Sequence, residues 1–337
     1  MSFSNGRVVM RVNFIFFLIK RLAMMAVSLV VIIAISYTLL AKAPGNFMDV
    51  QRAVAAMTTL ANSNSETFKI QKALFDERYG LDKPLYMQIW TYTKNAVTFD
   101  FGPSFQSPSI LIQDMVRERL PRTLLIVFLG IGLALIVGIP LGVIAGFRRN
   151  TWIDYIVTGF SMIGQVVPVY VLAIVLILIF AGQVWNVLPN GGWATPVPTF
   201  KQLILPVLTL ALGPIAGIAR FTRNQVAETM SQEFIRTARS KGISERLVIM
   251  RHALRNSLIP VVTTTAPQIA YALVGSVWIE NIFRIPGIGQ LFATALGARD
   301  YPLVITSTVI LALGVMLANL LADILYSILD PRIKLEA

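Results

Sequence analysis

The chain has 337 residues, 55% of them hydrophobic and 14% charged, against roughly 25% charged in a soluble domain. With a mean hydropathy of +0.69, this excludes a disordered chain, a nucleic-acid-binding arm and an ordinary cytosolic enzyme, and it points to a polytopic membrane protein. The absence of cysteine and the single histidine, His252, exclude a disulfide framework, a thiolate or multi-histidine metal site and a cysteine nucleophile.

Residues 1–21 place Phe14, Phe16 and Phe17 between Arg11 and Lys20, which predicts an interfacial elbow helix. A first apolar span follows over 22–40. Ala41-Lys42-Ala43 has the small-x-small look of a signal-cleavage site, but an apolar run of about 19 residues is long for a signal peptide. The segment is therefore expected to be an uncleaved anchor. Residues 41–122 are the one stretch polar enough to form an extracytoplasmic insertion, and they read as helical. Helices are predicted over 48–61 and 66–79, with Gly80 as a stop. The stretch Asn62-Ser63-Asn64-Ser65 is read as a loop. A further helix over 84–97 carries Leu85, Ile89 and Trp90 at helical spacing, Phe101-Gly102-Pro103 marks a turn, and a helix over 109–120 leads into the second span.

The remaining core, 123–329, holds five more apolar stretches over 123–147, 155–182, 203–219, 258–279 and 303–329. A bilayer core about 30 Å thick needs about 20 helical residues, so six transmembrane helices are expected. The fourth is the weakest, because Pro206 and Pro214 interrupt it, although neighbours in a bundle can satisfy freed backbone groups. Gly138, Gly142 and Gly146 recur every four residues, as do Gly213 and Gly217; both patterns predict close helix packing. Asp323 is the one acid placed inside a span by these boundaries, and a membrane carboxylate can serve proton coupling or pair with an arginine.

Charge fixes the expected orientation. Residues 1–21, 148–154, 220–255 and 330–337 together hold 16 Lys/Arg and 6 acids; 41–122, 183–201 and 280–302 hold 13 and 10. The basic side is cytoplasmic by the positive-inside rule, so both termini face the cytoplasm. Most of the net charge of +12 is thereby topological, and no nucleic-acid partner is implied.

The cytoplasmic stretch 220–255 has helical periodicity rather than a linker's composition. Gly242 can end one helix and Ser244 can cap the next. The predicted product is a sharp corner suited to docking a partner protein, or else a solvated basic loop. Within the spans, Gln165, Tyr170, Thr264, Gln268, Tyr271 and Ser276 are the polar candidates for lining a translocation path; ordinary helix–helix hydrogen bonding is the alternative for each. Pro267 can loosen the helix beside Gln268 and Tyr271. No Gly-x-x-x-x-Gly-Lys phosphate loop occurs, so any ATP-driven work needs an ATPase on another chain.

The run Phe234-Ile235-Arg236-Thr237-Ala238-Arg239-Ser240-Lys241-Gly242, followed by Arg251-His252-Ala253-Leu254-Arg255-Asn256, resembles the cytoplasmic loop of ABC importer permeases. Of that loop's general E-A-A-x-x-x-G pattern only Ala238 and Gly242 match. The departure resembles the oligopeptide/dipeptide permease branch, and in particular the first of its two permease subunits. Other stretches resemble the same branch: Arg78-Tyr79-Gly80-Leu81-Asp82-Lys83-Pro84-Leu85, Asp100-Phe101-Gly102-Pro103-Ser104-Phe105, Glu280-Asn281-Ile282-Phe283, Pro286-Gly287-Ile288-Gly289, Arg299-Asp300-Tyr301-Pro302 and Asp330-Pro331-Arg332.

The resemblance implies an all-α, six-helix, type I importer permease in a bacterial or archaeal plasma membrane. It implies a second, homologous permease subunit, two cytoplasmic ATPases and an external binding protein as partners. No cofactor is expected in this chain; ATP and Mg belong to the ATPases. The coupling loop is expected to use Gly242 for the corner and Phe234 and Ala238 for packing. Arg236, Lys241 and Arg246 would meet acidic groups on the ATPase, with Thr237 and Ser244 beside them. His252 is expected to be a structural hydrogen-bonding group. The cargo implied is a peptide, for which neutral amides and hydroxyls make suitable lining. Relatives that carry nickel chelates, glutathione or oligosaccharides leave the substrate open, and a secondary transporter is the alternative class. Pro206 and Pro214 alone faintly suggest the broken helices of that class.

Overall fold

A computed structural model describes residues 3–42, 73, 77–80, 83–182 and 184–329, without the side chains at 3–15, 41, 252, 255, 259, 262–264, 266 and 326–329. The helices predicted over 48–61 and most of that over 66–79 lie outside the described residues, as does the asparagine-serine loop. The elements in chain order are α1 (Phe3–Lys42), α2 (Leu85–Val97), α3 (Ile112–Phe147), α4 (Trp152–Val166), α5 (Val169–Phe180), α6 (Phe200–Met230), α7 (Glu233–Ser240) and α8 (Glu245–Leu247). A π-helical turn (Val248–Ala253) then leads into α9 (Leu254–Ile282), α10 (Ile288–Ala298) and α11 (Tyr301–Leu329). Among the described residues no strand occurs, only an isolated bridge between Pro103 and Leu111.

Among the described residues, four helices are long and apolar enough to cross a membrane: Phe16–Leu40, Ile112–Phe147, Phe200–Met230 and Tyr301–Leu325. A fifth candidate is the pair α4 and α5, which meet at 110°. The stretch 155–182, expected as one span, is thus two short helices. Pro168 explains the break: it cannot donate to the helix and pushes the residue before it out of the helical region, and Val167 is extended at φ −73°, ψ 123°. By contrast, α6 runs through both Pro206 and Pro214. Its start is held by Gln202, whose Oε1 accepts from the Thr199 N–H at 2.9 Å and from the Ala194 N–H at 3.2 Å. α1 is likewise continuous, so the elbow segment and the first span form one element.

The described residues divide into two compact units, one within 3–121 and 286–313 and the other within 122–285 and 314–329. In the first unit, Ile33 and Tyr37 of α1, Tyr92 of α2, Phe101, Ile112 and Val116 share a core with Ile288, Leu291, Leu303 and Ile305. Several stretches that carry the family resemblance meet there. Tyr79 Oη donates toward the carbonyls of Phe101 and Pro103, and Arg78 pairs with Asp100. Ser104 Oγ donates to the buried Asp300 carboxylate at 2.5 Å, and the backbone N–H groups of Gln106 and Leu303 donate to it at 2.9 and 3.2 Å. Asp300 therefore starts α11 and ties down the Phe101–Ser107 turn at once, satisfying donors that would otherwise be buried without partners. Burial pushes the Tyr79 phenol up, so it stays a neutral donor.

In the second unit the glycine stripe of α3 lies on α6. A Cβ on Gly142 would collide with the Ala219 carbonyl and stand 2.5 Å from Thr222 Cβ; one on Gly146 would stand 2.7 Å from Val226 Cβ. The packing reading of that stripe is what the structure contains. Beside this seam, Arg223 reaches Asp154 of α4 with a two-pronged ion pair, Nε to Oδ1 at 2.8 Å and Nη2 to Oδ2 at 2.6 Å.

Candidate coupling corner and polar cavity

The corner at Gly242 is built by local bonds. The Gly242 N–H donates to Arg239 O at 2.9 Å and the Ile243 N–H to Ala238 O at 3.4 Å. This is the two-bond Schellman closure, which needs a left-handed residue at the glycine position. Gly242 has φ +75° and nothing within 4 Å of where a Cβ would stand. Its conformation, not crowding, therefore requires glycine. Ser244 occupies the position before α8, but its hydroxyl makes no cap bond; its carbonyl accepts the N–H groups of Leu247 and Val248 instead.

The inward face of the corner is Ile235, Ala238, Val248 and Ala253, with Phe147, Met230 and Ile243 packed against them. Ala238 thus packs as expected. Phe234 does not: it is exposed, and its neighbour Ile235 takes the buried place. One residue is a 100° rotation on a helix, so a single step decides which apolar side chain is inside. The outward face is therefore mixed. It carries Phe234, Leu247 and Met250 with exposed Arg236, Lys241 and Arg246. Thr237 is exposed and its hydroxyl donates back to Glu233 O at 3.0 Å.

The corner also brings together two charges that the sequence alone does not pair. Arg239 and Glu245 form a two-pronged ion pair across the corner, at 3.0 and 2.5 Å. The signal was available, since opposite charges flanked a predicted glycine turn, but it needs the turn's geometry to become a pair. The guanidinium holds the Glu245 carboxyl below its ordinary range.

The polar span residues separate into groups. Gln165 and Gln268 line one cavity of about 300 Å³, together with Gly217, Arg220, Phe221, Asn224 and Thr265. Gln165 stands two residues before Val167, where α4 breaks from α5, and Gly217 leaves room beside Gln268 Nε2. Tyr170 and Tyr271 lie outside this lining and are exposed; the Tyr170 ring meets that of Trp278 at 5.8 Å between centroids, tilted by 46°. Ser276 is fully buried and its hydroxyl donates to Leu273 O at 2.8 Å, so it bonds its own helix rather than facing the cavity. The side chains of Thr264 and His252 lie outside the described residues. Arg220 and Asn224 were not among the expected lining. They sit at the basic end of α6, which reads in sequence as loop, and only the length of α6 brings them beside the two glutamines.

Long apolar helices, with a cavity lined in part by glutamine, asparagine and arginine, mark a membrane protein. Residues 138–335 match the family described as binding-protein-dependent transport system inner membrane component, and the chain belongs to that family. It is 37% identical over 320 residues to the dipeptide transport system permease protein DppB of Bacillus subtilis, covering 95% of this chain and 98% of that protein. It is 36% identical over 319 residues to the oligopeptide transport system permease protein OppB of Haemophilus influenzae, covering 94% and 99%. The oligopeptide transport system permease protein AppB of Bacillus subtilis is 36% identical over 325 residues, covering 94% and 99%. The chain is accordingly a permease and not an enzyme.

Proposed function

We propose that this chain forms half of the translocation path of an ATP-driven peptide importer. The observation that carries this reading is its alignment, over almost the whole of both chains, with permease proteins named for dipeptide and oligopeptide transport. A second, homologous permease supplies the other half. Two cytoplasmic ATPases hold ATP and Mg and do the hydrolysis, and an extracytoplasmic binding protein delivers the peptide. None of these relatives' names points to nickel chelates, glutathione, oligosaccharides or secondary transport.

Six spans are α1, α3, the bent pair α4–α5, α6, α9 and α11. α9 has 29 residues, about 44 Å at 1.5 Å each, enough to cross a core of about 30 Å. Residues 41–122 form the extracytoplasmic insertion, and both termini are cytoplasmic, as the basic excess on 1–21 and 220–255 directs.

The corner at Gly242 is the coupling element. Its apolar and basic outward face seats in a groove on an ATPase, and closure of the ATPases on ATP then biases the permease pair between inward-open and outward-open states. Such a bias requires that ATP bind the two states with different affinity. Gln165 and Gln268 line the path. Their amides offer both donors and acceptors, which suits a cargo of constant backbone and variable side chains.

The test is isolation of the chain with its native partners, followed by peptide uptake in proteoliposomes. Uptake that requires internal or external ATP according to ATPase orientation, and persists without a proton gradient, is the expected result. A chain that purifies without ATPases and transports peptide on a proton gradient alone would be a secondary transporter.

A further inference from the structure

The helix α2 carries an apolar face that nothing among the described residues covers. Tyr86, Met87, Trp90 and Val97 are exposed, Trp90 to 71% and Val97 to 83%. At 100° per residue these four, with the exposed Lys94, fall within one arc of about a quarter turn. Tyr92 stands on the opposite side of the helix and is buried. An exposed arc of four large apolar side chains needs an occupant, and Phe99, Ile110 and Leu111 of the same segment are exposed as well.

Contacts within the first unit give the depth of this face. The Tyr92 ring meets Tyr37 of α1 at 6.2 Å between centroids. Its hydroxyl bonds Thr306 Oγ1 at 2.5 Å and donates to Pro302 O at 3.0 Å. Tyr37 lies within the last turn of the apolar stretch Phe16–Leu40, and Thr306 in the second turn of Tyr301–Leu325. Both partners lie roughly 5–8 Å inside the apolar limits of their spans at 1.5 Å per residue. α2 therefore rests on the flanks of two membrane helices, just below their ends, and its opposite face points sideways from them. Amphipathic interfacial helices sit about 5–10 Å into the headgroup and acyl boundary. Trp and Tyr concentrate at that depth because their rings are apolar with one polar edge, and a lysine there lays its stem along the apolar surface while its ammonium reaches the phosphates.

We infer that α2 lies in the lipid interface of the leaflet where α1 ends, the outer one by the charge distribution, with Tyr86, Met87, Trp90 and Val97 in lipid and Lys94 at the headgroups. The insertion is thereby anchored to the bilayer surface, independently of what the transporter carries.

This chain contributes no cysteine of its own, so each labelled complex is read against the unsubstituted complex treated with the same label. Tyr86→Cys, Trp90→Cys and Val97→Cys would each carry a nitroxide in the partner-containing complex, held in phospholipid nanodiscs. Collision with oxygen, which concentrates in lipid, is compared with collision with a water-soluble nickel chelate. Val27→Cys on α1 supplies the lipid reference, and Ser109→Cys, at an exposed turn position, supplies the water reference. The expected oxygen-to-nickel ratio at all three α2 positions is several-fold above that at Ser109→Cys and approaches that at Val27→Cys. A ratio like that at Ser109→Cys overturns the inference and leaves the face free for a soluble partner. Labels closed to both reagents also overturn it and place the face against another membrane subunit. As a check that does not disturb the helix with a label, quenching of the native protein's tryptophan fluorescence by brominated lipid should fall measurably in Trp90→Phe; an unchanged quenching would count against lipid contact.

Discussion

Two glycine-built regions of the second unit use the residue for opposite reasons. At Gly242 the surroundings are empty and the backbone is left-handed, so a side chain is refused by conformation. At Gly142 the backbone is helical and the surroundings are full, so a side chain is refused by space. The turn at the corner is closed by bonds between neighbours in sequence, while its inward face packs on Phe147 at the end of α3; the seam is contact between α3 and α6. A locally closed turn suits the coupling role proposed for the corner.

The largest expected effect comes at the edge of the seam. Asp154→Ala removes an almost fully buried carboxylate that takes both prongs of the Arg223 guanidinium and the Asn150 N–H, leaving Arg223 its bond to Asn224 Oδ1 at 3.2 Å. Removing one member of a buried pair costs about 3–5 kcal/mol. Arg223 is partly exposed, so the lower end is expected, read as a marked fall in the melting temperature of the purified chain in detergent. Arg223→Met combined with Asp154→Leu should recover much of the loss.

Next comes Gly142→Ala, for which overpacking costs about 1–3 kcal/mol. Gly142→Asn should be at least as damaging, because the seam has no room for either. At the corner, two substitutions separate in their effect. Gly242→Val forces a β-branched residue into a left-handed conformation, at a cost of about 1–3 kcal/mol. It should reduce peptide-stimulated ATPase activity while membrane insertion survives. Gly242→Asn, which tolerates that conformation, should retain most of the activity. Equal damage from both would mean that space, not φ, governs the corner.

The smallest effect belongs to the ion pair across the corner. It is about half exposed, and exposed pairs contribute little. The Glu245 carboxyl is depressed in the folded chain, so its contribution is present above the ordinary glutamate range and is lost as pH falls through the folded value. Glu245→Gln should lower thermal stability slightly at neutral pH and not at all in acid, where the two chains converge.

Composition and apolar run length were enough to read a helical membrane protein, and a glycine flanked by helical periodicity was enough to read the corner. Those signals are local, and helices satisfy their own backbone. The prolines show where local reading stops. Pro168 breaks a span and Pro214 does not, although both follow an apolar run. The difference lies in what surrounds each, as α6 is largely buried along Leu205–Ala211 and Ile215–Ala219 whereas the α4–α5 break leaves Val166 and Pro168 exposed. Phe234 and Ile235 teach the same lesson on a finer scale, for both are apolar and adjacent, and only packing against Val248 and Phe147 chose between them.

What the sequence determined alone was the class of protein, the existence of the glycine seam and the left-handed corner, and the branch its motifs resemble. Tertiary structure alone decided that Asp300 ties Ser104 across the first unit, that Arg223 finds Asp154, and that Gln165 and Gln268 share a cavity with Arg220. Each of these joins residues far apart in the chain. Their pairing depends on which helix faces meet, and a one-dimensional pattern of residue types does not encode that.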